Sequence, residues 1–251
     1  VTVRKAAHKG ITLATNLNFL PADHHNIAYQ AAELLKKDYP QVAGVDVRIH
    51  KCIPVAAGMA GGSTDAAAVL YGINKLWKLG IPMQRLMEYG LQIGADVPFC
   101  LLRGTALAEG IGEELTSLPP MPQCYILIAK PPVSVSTKSV YQALDALAQP
   151  PHPPIDAQLE DLKAQDLASL AAHMGNVLED VTIPMHPQIA QIKQLMTDHG
   201  AAAAMMSGSG PTVFGIFSDK EQAYIAKEQV RGSGLARQVY VTRPFNKETD
   251  R

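Results

Sequence analysis

A glycine-rich loop at residues 54–64 is the first feature of this sequence that could do chemistry. Gly58, Gly61 and Gly62 lie there among small residues, directly before a run with helical spacing. Backbone N–H groups in such a loop, together with the positive end of the helix dipole, can hold a polyphosphate that larger side chains would exclude. The pattern predicts a nucleotide phosphate site, and its alternative is a tight turn before a helix. No Gly-Lys-Ser or Gly-Lys-Thr follows, so the loop is not a Walker loop.

Two further stretches carry residues of chemical interest. Asp96 lies in the string Gly-Ala-Asp-Val-Pro-Phe at residues 94–99. A carboxylate in such an apolar setting needs a cation or a proton if it is buried. A second glycine cluster, residues 206–212, precedes an apolar strand-like run and is typical of a hairpin turn.

These three stretches together resemble the motifs of the GHMP kinase superfamily. The first is similar to its Pro-x-x-x-Gly-Leu-Gly-Ser-Ser motif, and the second matches its catalytic motif. The third matches its third motif, whose glycines, as the resemblance implies, let the backbone approach the phosphate loop and the substrate closely. The extra glycine and the Asp-Ala-Ala ending resemble the branch that phosphorylates 4-diphosphocytidyl-2-C-methyl-D-erythritol. Met59 and Ala60 replace the usual Leu and Gly, a mild departure unless φ is positive at Ala60.

The resemblance implies an α+β fold of two α/β subdomains, with the active site in the cleft between them. Residues 1–120 would bind ATP, and residues 121–251 would form the substrate side. The implied reaction is transfer of the ATP γ-phosphate, with Mg²⁺, to the 2-hydroxyl of the cytidine-diphosphate-linked methylerythritol. Asp96 would be the general base, which takes the proton from the attacking hydroxyl.

The resemblance also implies the residues of each subsite. Ser63 or Thr64 could offer a hydroxyl to the metal, and no other metal ligand is assigned. The substrate contacts are Thr137, Tyr141, Ser207 and Gly208. The nucleotide contacts are Pro54, Val55, Ala56, Ala57, Gly58, Met59, Ala60, Gly61, Gly62, Ser63, Thr64, Asn26 and Lys51.

Several of these residues have a structural alternative. Asn26 is a plausible N-cap, as is Asp23, and Lys51 could be an exposed lysine. Tyr141 could pack in a core, since aromatic residues at helical spacing often do. Ser63, Thr64 and Asp65 are residue types that cap or charge the start of a helix.

The elements that must position these residues follow from hydrophobic periodicity and from Gly and Pro punctuation. A hairpin is predicted at 103–118, a linker at 119–122 and a stiff proline-rich loop at 149–154. Helices are predicted at 26–37, 66–79, 82–93, 160–174, 189–199 and 221–229. Strands are predicted at 1–13, 45–50, 125–129, 213–217 and 238–242.

Composition bounds the class of protein. The 251 residues are 47% hydrophobic with a net charge of −1, which suits a sizeable core and gives no footprint for nucleic acid or a membrane surface. Three separated cysteines argue against disulfides and zinc and favour a reducing cytoplasm. No apolar run is long enough to span a bilayer, so a soluble protein is expected.

The beginning of the chain leaves other functions open. Val1 already lies in a strand-like stretch, and neither the family's lysine-containing first segment nor its substrate-binding Gly-Tyr-His segment occurs here. We therefore expect an upstream segment. The alternatives are another GHMP kinase, for homoserine or mevalonate, and a nucleotide-binding protein without turnover, which the missing lysine would favour. Oligomeric state is not predicted.

Overall fold

The computed structural model describes residues 1–147 and 152–246, which fall into two compact units. The first unit comprises residues 1–55 and 60–117, and the second comprises residues 56–59 and those from 118 onward. The tip of the glycine-rich loop is thus counted with the second unit. The predicted proline-rich loop at 149–154 lies partly outside the described residues.

The first unit contains a three-stranded sheet of order β1-β3-β2. Its strands are β1 (Thr2–Lys5), β2 (Gly10–Thr15) and β3 (Gly44–Ile49). β1 pairs with β3 antiparallel and β2 pairs with β3 parallel, so helix α1 (Ile27–Asp38) forms the crossover between β2 and β3. The single strand predicted at 1–13 is therefore two strands, which lie on opposite sides of β3.

Helix α2 (Gly61–Trp77) packs on α1 and builds the core of this unit. Alanines and larger aliphatic residues of both helices are buried together in this core. The fully buried residues of the pair are Ala28, Ala31, Ala32, Leu35, Ala66, Val69, Leu70 and Ile73. The unit is completed by α3 (Met83–Leu91), α4 (Val97–Leu102) and the hairpin of β4 (Ala106–Glu109) and β5 (Glu114–Ser117).

The second unit contains a four-stranded antiparallel sheet of order β7-β8-β6-β9. Its strands are β6 (Tyr125–Lys130), β7 (Ala203–Met206), β8 (Val213–Phe217) and β9 (Gln238–Thr242). Its helices are α5 (Thr137–Asp145), α6 (Ile155–Ala164), α7 (Leu167–His173), α8 (Glu179–Met185), α9 (Gln188–Asp198) and α10 (Lys220–Gly232). Apolar faces of α9 and α10 pack on the sheet, which buries Ile192, Met196 and Val230 completely.

One predicted helix of this unit is wrong, and two elements of the unit were not predicted. The helix predicted at 160–174 is interrupted, because Gln165 adopts φ 57° and Asp166 caps a new helix by accepting hydrogen bonds from the N–H groups of Ala168 and Ser169. Helix α8 and strand β7 were not predicted at all. Among the described residues, no helix combines the length and the apolar character that a membrane span requires.

Candidate active site

The glycine-rich loop enters α2 through a strained residue rather than through a side-chain cap. Ala60 is the N-cap of α2 with φ 46° and ψ 30°, and no side chain caps the helix there. Ser63, Thr64 and Asp65 lie within the helix, so the prediction that they start it is wrong. The left-handed region disfavours residues with a Cβ, so alanine at position 60 carries strain that glycine would not. The departure at Ala60 is therefore not mild.

Gly61 and Gly62 are required by packing within the first unit. A Cβ on Gly61 would lie 2.9 Å from Cγ2 of Ile53 and 3.1 Å from Nζ of Lys51. A Cβ on Gly62 would lie 3.1 Å from Cδ1 of Ile27, the first residue of α1. The first turn of α2 thus lies against the end of the β3 segment and the start of α1. Pro54 and Ala57 are buried, Val55 and Met59 are half-buried, and Ala56 and Gly58 are exposed.

Lys51 brings a positive charge to the start of α2. Its Nζ lies 2.5 Å from Oδ2 of Asp65, and the two side chains are only 6% and 15% exposed. Asn16, at the end of β2, holds the Lys51 backbone by accepting from its N–H at 2.7 Å. The alternative of an exposed lysine is wrong, because the ammonium group is buried and paired.

Asp96 directly precedes α4 and is exposed to solvent. Its carboxylate makes no hydrogen bond or ion pair with another described residue, and it does not cap the helix. Water therefore solvates the charge, so the carboxylate does not need the cation or proton that a buried one would need. A solvated and uncommitted carboxylate is available to accept a proton from a hydroxyl.

Cys100, one turn along α4 from Asp96, connects that helix with the start of α2. Its Sγ lies 3.5 Å from Oγ1 of Thr64. Burial raises the pKa of the Cys100 thiol, the contact with Thr64 lowers it, and the charges of Asp96 and Asp65 raise it further. The structure thus brings Asp96 and the first turns of α2 together within the first unit.

Asn26 is the N-cap of α1. Its Oδ1 accepts a hydrogen bond from the N–H of Ala28 at 3.0 Å, and its Nδ2 donates to the carbonyl of Pro21 at 2.9 Å. The cap expected as one alternative is confirmed, whereas Asp23 does not cap this helix. A contact between Asn26 and a nucleotide base stays a prediction.

The turn at residues 207–210 lies in the second unit, where it joins β7 to β8 and contacts the tip of the glycine-rich loop. Oγ of Ser207 donates a hydrogen bond to the carbonyl of Gly58 at 2.7 Å. Gly58 has φ 66°, and a Cβ there would lie 2.3 Å from the carbonyl oxygen of Ser207. Both interpretations of the second glycine cluster therefore hold, since it is a hairpin turn and its backbone approaches the loop closely.

Helix α5 carries the other two predicted substrate residues. Oγ1 of Thr137 lies 2.9 Å from Oγ of Ser209, which ties the start of α5 to the turn. Tyr141 is 52% exposed, while its neighbour Val140 is fully buried and fills the core position. The alternative that Tyr141 is a core residue is wrong, and its ring is accessible to a ligand.

Two side chains that were not predicted to be functional bond the backbone of this turn and of the end of β7. Asn176 donates from Nδ2 to the carbonyls of Met206 and Gly208, both at 2.8 Å. Glu179 accepts from the N–H of Met206 at 2.6 Å. Their spacing, Asn-x-x-Glu, could have been noticed as a helix-start signature, but it carries no signal for contacts with a distant strand.

Comparison with known proteins decides the family. The model of the GHMP kinases N terminal domain matches residues 26–104, and that of the GHMP kinases C terminal matches residues 158–235. The chain belongs to the GHMP kinase family. As a GHMP kinase it transfers a phosphoryl group from ATP to a small molecule, and the GHMP kinase fold predicted from the three motifs is confirmed.

Relatives of this GHMP kinase share one name. The 4-diphosphocytidyl-2-C-methyl-D-erythritol kinase of Lachnospira eligens is 54% identical over 98% of this chain and 85% of the relative. The enzyme of the same name from Lachnoclostridium phytofermentans is 49% identical over 98% of this chain and 84% of the relative.

Solved structures agree with the fold of this GHMP kinase. A crystal structure of 4-(cytidine 5'-diphospho)-2C-methyl-D-erythritol kinase superposes with a TM-score of 0.81 at 30% identity, over 96% of this chain and 84% of that one. Homoserine kinase from Cytophaga hutchinsonii superposes with a TM-score of 0.83 at 20% identity, over 97% of this chain and 84% of that one. The second likeness shows the fold alone.

Proposed function

We propose that this GHMP kinase transfers the γ-phosphate of ATP, with Mg²⁺, to the 2-hydroxyl of 4-diphosphocytidyl-2-C-methyl-D-erythritol. This would be a cytoplasmic step in the synthesis of isoprenoid precursors by the non-mevalonate route. The observation that carries the proposal is the 54% and 49% identity, over 98% of the chain, to relatives named for this substrate.

In this proposal Asp96 is the general base. Phosphoryl transfer leaves the protein mainly the tasks of positioning groups, stabilising charge and taking one proton from the attacking hydroxyl. The exposed Asp96 carboxylate is bound to no other described side chain, and its charge reaches Cys100 beside the start of α2. That arrangement supports a base near the phosphates, if they bind at the N-terminus of α2.

The nucleotide phosphates are assigned to the glycine-rich loop and the first turn of α2. Free N–H groups and the dipole of a 17-residue helix attract an anion there, and Lys51 adds a nearby positive charge. Residues 54–64, with Asn26 and Lys51, form the proposed nucleotide set. In this assignment residues 1–120 chiefly serve ATP, and residues 121–251 serve the acceptor.

The residues present fit a magnesium ion through hydroxyl and phosphate oxygens, which are the hard ligands that Mg²⁺ prefers. The hydroxyl of Thr64 already donates to the carbonyl of Ala60 at 3.0 Å, and Asp65 is occupied by Lys51. Ser63 makes no side-chain hydrogen bond with any described residue, so its hydroxyl is the one we assign to the metal. When bound, the ion would neutralise charge on the phosphates.

The acceptor is assigned to Thr137, Tyr141, Ser207 and Gly208 in the second unit. The exposed ring of Tyr141 can stack on a cytosine, because every base offers a π-face. The hydroxyls of Thr137 and Ser207 can bond polar groups of the acceptor in addition to the contacts that they make with the protein.

An acceptor panel tests the proposal. Release of ADP from ATP and Mg²⁺ is measured with the cytidine-diphosphate-linked methylerythritol, with homoserine and with mevalonate, and Asp96→Asn serves as the matched variant. We expect the highest kcat/KM for the cytidine compound and a loss of about 10²–10⁴-fold in kcat for the variant. A preference for homoserine or mevalonate would refute the substrate assignment. ATP binding without turnover of any acceptor would indicate a nucleotide-binding protein without kinase activity.

A further inference from the structure

Side chains at the start of helix α8 make hydrogen bonds with backbone groups at the end of β7 and in the turn at residues 207–210. Besides the three bonds made by Asn176 and Glu179, Oγ1 of the buried Thr182 donates to the carbonyl of Ser209 at 3.4 Å. The N–H of Met206 and the carbonyls of Met206, Gly208 and Ser209 are thus bonded to side chains of one short segment.

These bonds replace those that a neighbouring strand would make. β7 is an edge strand, since the sheet has the order β7-β8-β6-β9, and Met206 pairs with Val213 of β8 on one side only. The N–H and carbonyl of Met206 are bonded instead to Glu179 and Asn176. Because buried backbone groups need partners, these side chains fix the end of β7 where no strand does.

The turn needs such anchors because its glycines allow many conformations. Gly208 has φ 54° and Gly210 has φ 85°, values that glycine reaches as easily as ordinary ones. The bonds from Asn176 to the carbonyls of Met206 and Gly208 flank Ser207 on both sides. They select one conformation of the turn, in which the Ser207 hydroxyl reaches the carbonyl of Gly58.

Both anchors are themselves held in place. Oδ1 of Asn176 accepts from the N–H of Leu178 at 3.0 Å, so its amide group is bonded at both ends. The second carboxylate oxygen of Glu179 lies 2.5 Å from Nζ of Lys193 on α9, and the Glu179 side chain is 15% exposed. An anchor with fixed orientation transmits that orientation to the group it bonds.

We propose that Asn176 and Glu179 are positioning residues for the kinase reaction. They hold the turn at residues 207–210 so that Ser207 orders the glycine-rich loop through Gly58 and Ser209 orders Thr137. The acceptor turn and the nucleotide loop are thereby coupled, so that loosening Asn176 weakens the binding of both ligands. The inference rests on the proposed function, which assigns ligands to these two segments.

The test replaces the amide of Asn176 without removing its helix-start bond. Asn176→Asp and Asn176→Ser keep an oxygen for the N–H of Leu178 but lose the amide NH2 group, which donates to two carbonyls. The matched control is Asn246, a half-buried asparagine of the same unit that donates to the carbonyl of Met121 at 2.9 Å and accepts from its N–H at 3.1 Å. Asn246→Asp and Asn246→Ser therefore remove the same kind of bond outside the turn.

We expect the Asn176 variants to raise KM for the acceptor and the dissociation constant of a non-hydrolysable ATP analogue by about tenfold. The Asn246 variants should lower the melting temperature by about as much as the Asn176 variants do. They should leave KM for the acceptor and the dissociation constant of the ATP analogue unchanged. If Asn176→Asp does not fold, Asn176→Ser carries the comparison. Equal binding constants in the Asn176 and Asn246 variants would overturn the inference.

A double-mutant cycle shows whether Asn176 acts through Ser207. With Ser207→Ala in place, adding Asn176→Ser should weaken binding of the ATP analogue far less than it does in the wild-type protein. The reason is that the effects of mutations at coupled residues do not add. Full additivity would refute this route. Binding of the analogue is measured without turnover, so this cycle does not depend on the proposed acceptor. A wild-type protein that does not phosphorylate the acceptor would refute the proposed function but would not affect the result of the cycle.

Discussion

Replacing Asp65 with asparagine should destabilise the protein, because the ammonium group of Lys51 would then be buried without a counter-charge. The Lys51 side chain is 6% exposed, that of Asp65 is 15% exposed, and their charged atoms are 2.5 Å apart. Removing one member of a buried ion pair costs about 3–5 kcal/mol. We expect a loss of about 3 kcal/mol in the free energy of unfolding, at the lower end because some solvent reaches the pair.

The reverse change separates stability from binding. Lys51→Met leaves the carboxylate near the start of α2, where the helix dipole offsets part of its isolation, so we expect a smaller loss of about 1–3 kcal/mol. Lys51→Met combined with Asp65→Asn removes both charges and should recover most of the stability. It should not recover nucleotide affinity, because Lys51 Nζ lies beside Gly61, where we propose that the phosphates bind.

Urea denaturation measures the stability of these variants, and calorimetry with an ATP analogue measures their affinity. The control is Arg85→Met, whose partner Glu88 is equally close at 2.5 Å, although the two side chains are 51% and 49% exposed. Exposed pairs contribute little, so this variant should lose far less stability than Asp65→Asn. Equal losses of stability in Arg85→Met and Asp65→Asn would show that burial does not matter for the Lys51–Asp65 pair. Wild-type affinity for the ATP analogue in the double variant would show that Lys51 does not contribute to the nucleotide site.

Four further predictions test individual residues. Gly61→Val should lower both the melting temperature and the affinity for ATP, because its Cβ would lie 2.9 Å from an isoleucine side chain; a change in affinity alone would contradict the packing role. Ala60→Gly should raise the free energy of unfolding by up to about 1 kcal/mol in urea titrations, because φ is 46° there, and a decrease would show that no strain is relieved. Tyr141→Ala should cost about 1–3 kcal/mol of acceptor affinity in calorimetry and leave the melting temperature unchanged, whereas the opposite pattern would make the ring structural. Burial and the charge of Asp96 raise the pKa of the Cys100 thiol, so alkylation of Cys100 below that pKa should be slow. Alkylation should be faster in Asp96→Asn, and equal rates in the two proteins would show that the charge of Asp96 does not act on the thiol.

The elements predicted best are those in which local pattern and tertiary packing agree. Strands β8 and β9 lie at 213–217 and 238–242, as their apolar runs predict, and α9 is displaced by one residue from its prediction. Helix α8 was missed because it has only seven residues with Pro184 inside, and β7 because Ala-Ala-Met-Met has weak strand propensity.

Within the candidate site, the motifs predicted which segments matter but not how they are held. The pairing of Lys51 with Asp65 joins residues on either side of the glycine-rich loop, and no periodicity indicates such a contact. Asn176 and Met206 are likewise 30 positions apart in the chain. The start of α2 was misplaced because a backbone conformation at Ala60, rather than a recognisable capping side chain, begins the helix.

The strain in the glycine-rich loop explains why so many contacts surround it. Ala56 and Ala60 have φ 49° and 46°, conformations that persist only when the surroundings fix them. In the first unit the fixing comes from Gly61 packed on Ile53, and in the second from Ser207 bonded to Gly58. A loop held in this way would already present its N–H groups to the phosphates that we propose bind there, so less binding energy would be lost in ordering it.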